Sequence, residues 1–142
     1  MKSIALTPEV AARRLHAFYG LTKPRVNALI VFCAVIGMFL AVPQGLPSAI
    51  TVVAATFGIA CVAGAAAAMN CLIEQGIDAR MARTRARALP RGELATGEAA
   101  AFAAALGATG LVVLHEAVNA LTMWLTLATF VGYAVVYTLL LK

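Results

Sequence analysis

Apolar residues fall into four long runs, roughly 26–42, 50–73, 96–114 and 120–141, separated by short polar segments. Each lies near the ~20 residues a helix needs to cross a bilayer. The first is short, and Leu21-Thr22-Lys23-Pro24-Arg25 lets it start lower among the headgroups. Ahead of it, Thr7-Pro8-Glu9 opens a helix: a hydroxyl cap, proline in the first turn, then an acid at the positive helix end. Ala11, Leu15, Phe18 and Tyr19 line one face of that helix with Arg13 and Arg14 opposite, and Gly20 ends it. The pattern predicts an all-α membrane protein. An arm over 1–25 carries a short interfacial helix, and a four-helix transmembrane bundle fills 26–142, with a cytoplasmic loop over 74–95.

Composition agrees: 63% of the 142 residues are hydrophobic and 12% charged, where a soluble domain carries about 25% charge. The net charge of +5 is a topology signal. All 11 Lys and Arg sit in the N-terminal arm, in the loop between the second and third runs, or at Lys142. The segments around Pro43–Ser48 and His115-Glu116 have none. Positive residues stay on the cytoplasmic side, which places both termini and the basic loop in the cytoplasm. No aromatic residues interleave the basic loop, and the reading excludes nucleic acid as a partner. The first 25 residues lack the apolar core and small-residue cleavage site of a signal peptide. No organelle-targeting segment precedes the first run, so the expected location is a bacterial inner membrane.

The second run ends on Asn70, Glu74 and Asp78, followed at once by Arg80, Arg83, Arg85, Arg87 and Arg91. A four-residue step drifts only about 40° around a helix, so the amide and two carboxylates form one polar stripe. Carboxylates at a membrane helix end are costly, and are either a solvated helix end or a functional site. Mg²⁺ takes one or two carboxylates together with phosphate oxygens and water, and arginine forks suit the remaining phosphate oxygens. The stripe and the basic run therefore predict a site for a metal-bridged diphosphate, with Glu74 and Asp78 on the metal. The bland alternative for the arginines is a topology anchor.

Other candidates are weaker. Cys33, Cys61 and Cys71 match no metal spacing and read as reduced packing residues. His115 and Glu116 mark the outer loop. Ala63–Ala68 and Ala99–Ala105 leave little side chain between backbones, so the second and third runs are expected to pack closely and hold the stripe rigidly.

The run from Asn70 to Arg87, with Asn-x3-Glu-x3-Asp and then Met81-x-Arg83-Thr84-x-x-Arg87, resembles the first acidic motif of the intramembrane aromatic prenyltransferases. With Leu89-Pro90-Arg91-Gly92 it resembles one branch in particular, the protohaem IX farnesyltransferases or haem O synthases. Leu21–Arg25 is similar to the opening motif of that branch, and Tyr137–Lys142 to the end of its fourth span. The resemblance implies the first half of a nine-helix prenyltransferase fold and an enzyme that moves a farnesyl group from farnesyl diphosphate to a vinyl group of haem B. It further implies catalytic roles for Asn70, Glu74 and Asp78, Mg²⁺ on Glu74 and Asp78, and diphosphate contacts from Lys23, Arg83 and Arg87.

Departures from the pattern are informative. The family is about twice as long and carries a second acidic motif, absent from this sequence. Ala88 replaces a usual proline, and Glu74 replaces aspartate at the cost of one methylene. Two readings follow. One is the N-terminal portion of a haem farnesyltransferase, inactive alone without a C-terminal half or partner. The alternative is a non-catalytic four-helix membrane protein or degenerate fragment. Intramembrane phosphatidyltransferases need a denser aspartate pattern than Glu74–Asp78 supplies.

Overall fold

The computed structural model describes residues 7–86 and 95–140. Five α-helices follow in order: α1 (Pro8–Leu21), α2 (Pro24–Ala41), α3 (Ala49–Asp78), α4 (Thr96–Ala117) and α5 (Ala120–Gly132). A wider π-helical segment, Tyr133–Leu140, continues α5. Three of these helices, α2, α3 and α4, are long and apolar enough to cross a membrane, and the stretch Ala120–Val136 is a shorter apolar helix. The chain is thus a multi-pass membrane protein. Its fourth apolar run differs from a plain span: the α-helix stops after 13 residues and the winding loosens.

The length of α3 sets up the rest. Thirty residues at 1.5 Å rise reach about 45 Å, against a hydrocarbon core of about 30 Å. The helix therefore continues past the predicted apolar end at Ile73 and carries Glu74 and Asp78 in unbroken helical register. It is also the central helix, packing against α1, α2, α4, α5 and the π segment.

The α3–α4 contact is the most extensive in the molecule, and small residues make it possible. A Cβ on Gly110 would come within 2.7 Å of the Gly58 main-chain oxygen, and one on Gly58 would lie 2.7 Å from the Leu114 side chain. Only hydrogen fits at either position. Ala65, Ala68, Ala99 and Ala103 are fully or almost fully buried along the same seam. Leu114, also fully buried, anchors the end of the seam away from Asp78 in a cluster with Ala55 and Val62.

α1 corrects two sequence expectations. Thr7 occupies the capping position, but its side chain makes no capping bond; Pro8 has no amide hydrogen to satisfy, which reduces the need for one. The buried face also differs. Leu15 and Tyr19 are exposed, while Ala17 and Leu21 are buried with Ala68, Cys71, Ala99 and Ala103, and Phe18 packs alongside. The reason is tertiary: α1 packs where the C-terminal half of α3 meets the start of α4, so the face meeting them is buried. Phe18 and Phe102 rings lie 4.9 Å apart at 44°, and the Arg14 guanidinium pairs with Glu98 in the first turn of α4. Glu98 also accepts from the Ala95 N–H, tying down the start of α4.

Candidate functional site

Asn70, Glu74 and Asp78 lie where the four-residue spacing predicts, on one face of α3, and all three are buried (3%, 8% and 4% exposed). Burial was not legible in the spacing. The Asn70 amide nitrogen donates to Glu74 Oε2 at 3.0 Å, which orients that carboxylate along the helix. Beyond Asp78 the chain turns sharply. Met81 N–H returns to the Asp78 carbonyl at 3.3 Å, and Arg85 N–H reaches the Met81 carbonyl at 2.9 Å. Arg80, Arg83 and Arg85 project from this turn into solvent, while Arg87 and Arg91 lie outside the described residues. On the far side of the loop, Thr96 Oγ1 donates to Gln75 Oε1 at 3.3 Å, so the start of α4 stays beside the end of α3.

Lys23 has an unusual backbone. It is the only described non-glycine residue with positive φ (47°), and it precedes Pro24, where extended conformations are preferred. Left-handed backbone costs roughly 1–2 kcal/mol in a residue with a Cβ. Here it forms the joint between α1 and α2, with Thr22 Oγ1 closing α1 on the Tyr19 carbonyl at 2.7 Å. Lys23 lines a cavity of about 300 Å³ between α2, α3, α5 and the π segment.

That cavity was not evident from the sequence. Apart from Thr22, Lys23, Asn27, Tyr133 and two threonines of α5, its walls are apolar, including Ile30, Ile59, Val62 and Phe130. Its α3 wall contains Ala63, Ala66 and Ala67. Steps of three, four, seven, eleven and fifteen residues from Ala63 stay within about 60° of one helix face. The alanines and the Asn70, Glu74, Asp78 stripe therefore share a face, with the apolar chamber along its middle and the carboxylates toward the helix C-terminus. Asn27, also missed by sequence reasoning, donates from Nδ2 to the Ala60 carbonyl at 3.0 Å and ties α2 to α3 beside the chamber. An Asn inside an apolar run was the available signal.

The donor set suits a cation shared with a phosphate. Two buried carboxylates one turn apart, with an amide bonded to one of them, supply hard oxygen ligands of the kind Mg²⁺ takes alongside phosphate and water. No group of three His, Cys, Asp or Glu side chains able to hold a metal occurs among the described residues, so a cage made of such protein ligands alone is not formed there. Of the three cysteines, Cys61 and Cys71 are buried in the packing, whereas Cys33 is exposed and does not pack. At the opposite end of the bundle, His115 Nδ1 meets Glu116 Oε1 at 3.1 Å, both exposed.

Comparison with known proteins identifies the family. Protoheme IX farnesyltransferase of Azoarcus sp. (strain BH72) is 75% identical over the whole of this chain, which covers 48% of that protein. The enzyme of the same name from Aromatoleum aromaticum is 75% identical over 99% of the chain and 46% of its own length. That from Nitrosospira multiformis is 58% identical over the whole chain and 47% of its own length. The chain thus spans about half the length of the curated relatives it matches. No solved structure matches it. The model of the UbiA prenyltransferase family matches residues 30–142, and the chain belongs to that family.

Proposed function

We propose that this chain is the diphosphate-binding half of an enzyme that transfers a farnesyl group from farnesyl diphosphate to a vinyl group of haem B, giving haem O. One observation carries the reading: the buried Asn70, Glu74 and Asp78 stripe continues the α3 face that walls an apolar chamber, with Lys23 at that chamber's lining. An isoprenoid diphosphate has this division of chemistry, an apolar tail joined to a dense anion. The names of the relatives, protoheme IX farnesyltransferase, supply the acceptor.

In this reading the chamber takes part of the farnesyl chain and excludes water from it. Glu74 and Asp78 would hold Mg²⁺, which when bound neutralises charge on the departing diphosphate. Asn70 keeps the Glu74 carboxylate oriented. Lys23, Arg83 and Arg87 contact phosphate oxygens, the two arginines through planar forks that match oxygen pairs. Such fixed charges lower the barrier to breaking the allylic C–O bond, because they stabilise the anion as it separates. The bilayer partner is the bacterial inner membrane, with the site and both termini on the cytoplasmic side, following the distribution of Lys and Arg.

The test is Mg²⁺-dependent binding of farnesyl S-thiolodiphosphate, which resists ionisation, to the 142-residue chain in lipid nanodiscs. Asp78→Ala should weaken binding about 100-fold, the scale for losing one partner of a buried charged contact. In a chain extended to the length of its relatives, the same change should abolish farnesylation of haem B. Unchanged binding and turnover in Asp78→Ala would remove the assignment.

A further inference from the structure

We propose that Thr84 is a positioning residue for the diphosphate headgroup, clasping the basic turn against the acidic end of α3. The inference rests on the diphosphate reading above and adds a residue to it. Across 79–86 every residue is exposed except Thr84, which is 4% exposed. Its hydroxyl donates to the Asp78 main-chain oxygen at 3.1 Å.

That oxygen belongs to the last turn of a helix, where carbonyls lack intrahelical partners. It receives two donors, Met81 N–H at 3.3 Å and Thr84 Oγ1 at 3.1 Å, which fill both lone pairs. Thr84 N–H in turn reaches the Met81 carbonyl at 3.2 Å. The turn is thereby closed on itself and on Asp78. A β-branched side chain is stiff about χ1, so the hydroxyl is held in place with little freedom to leave.

Thr84 lies between Arg83 and Arg85, whose side chains are exposed. Fixing its backbone fixes the origin of both guanidinium groups relative to the Asp78 carboxylate. Without the clasp, the turn would keep its arginines but spend ordering entropy when the anion arrives.

The test compares Thr84→Val, which keeps shape and loses the hydroxyl, with Thr84→Ser, which keeps the hydroxyl. The 142-residue chain in nanodiscs is probed with Mg²⁺ and farnesyl S-thiolodiphosphate, with farnesol as a headgroup-free control, and by amide hydrogen exchange at residue 84 and Arg85. Thr84→Val should exchange faster at both amides and bind the diphosphate analogue about tenfold more weakly, the scale of one lost hydrogen bond. Farnesol binding should stay within about twofold, and Thr84→Ser should recover most of the loss. If Thr84→Val does not fold, Thr84→Ala against Thr84→Ser makes the same comparison. Wild-type binding that Thr84→Val leaves intact overturns the positioning role alone, as does an equal loss for farnesol or a failure of Thr84→Ser to recover. A wild-type chain that does not bind the analogue overturns the diphosphate reading and this role with it, whatever the exchange shows of the clasp.

Discussion

The α3–α4 pair and the α2 and α5 helices are built from similarly apolar sequence, yet they are packed in opposite ways. α3 and α4 meet through Gly58, Gly110 and buried alanines, so closely that a single added methyl group would collide with main chain. α2 and α5 contain no buried residue at all, and their Leu29, Phe32, Leu40, Leu121 and Leu125 are exposed. Hydrophobicity places all of them in the membrane, but it does not drive one helix onto another there, because lipid tails are as apolar as leucine. Side-chain size decides which faces close. The consequence for function is that the acidic stripe stands on the rigid partner of the tight pair, while the chamber beside it is walled partly by the loosely packed helices.

The comparison can be broken most severely at Gly110. Gly110→Ala should cost about 3 kcal/mol, the upper range for overpacking a seam, and should be seen as loss of the folded fraction in detergent-unfolding titrations; a neutral result would mean the helices do not approach as described. Leu114→Ala should cost about 2 kcal/mol by opening a cavity at the end of the seam away from Asp78. Its counterpart on the loose side, Leu125→Ala, should stay within about 0.5 kcal/mol, and the difference between the two is the quantity that sharpens the contrast.

Lys23 separates stability from binding. Lys23→Gly removes a Cβ from left-handed backbone and should stabilise the chain by about 1 kcal/mol, while weakening Mg²⁺-dependent binding of the diphosphate analogue through loss of the ammonium. Loss of both stability and binding would show that the side chain, not the backbone, holds the α1–α2 joint. A small effect is also expected at Arg14→Ala. The Arg14–Glu98 pair is exposed, and such pairs contribute about 0.2–1 kcal/mol, read as slightly easier release of α1 in hydrogen exchange.

Much of the site was legible because it is local. Asn70, Glu74 and Asp78 belong to one helix, and a four-residue spacing fixes their common face whatever surrounds them. Arg83 follows in the same stretch of chain, although Arg87 falls beyond the described residues. The chamber, Asn27's tie to Ala60 and the clasp of Thr84 were not legible. Each depends on a contact between segments, or on a turn whose closure no periodicity records. The face of α1 was misassigned for the same reason, since amphipathic spacing identifies candidate apolar faces but not the one that meets α3 and α4.

By itself, then, the sequence determined the helical class, the number of apolar runs and the acidic stripe, because these follow from residue order and from transfer between water and lipid. The burial of that stripe, the glycine-lined seam, the strained joint at Lys23 and the chamber were decided only in the tertiary structure, where atoms remote in the chain compete for the same space.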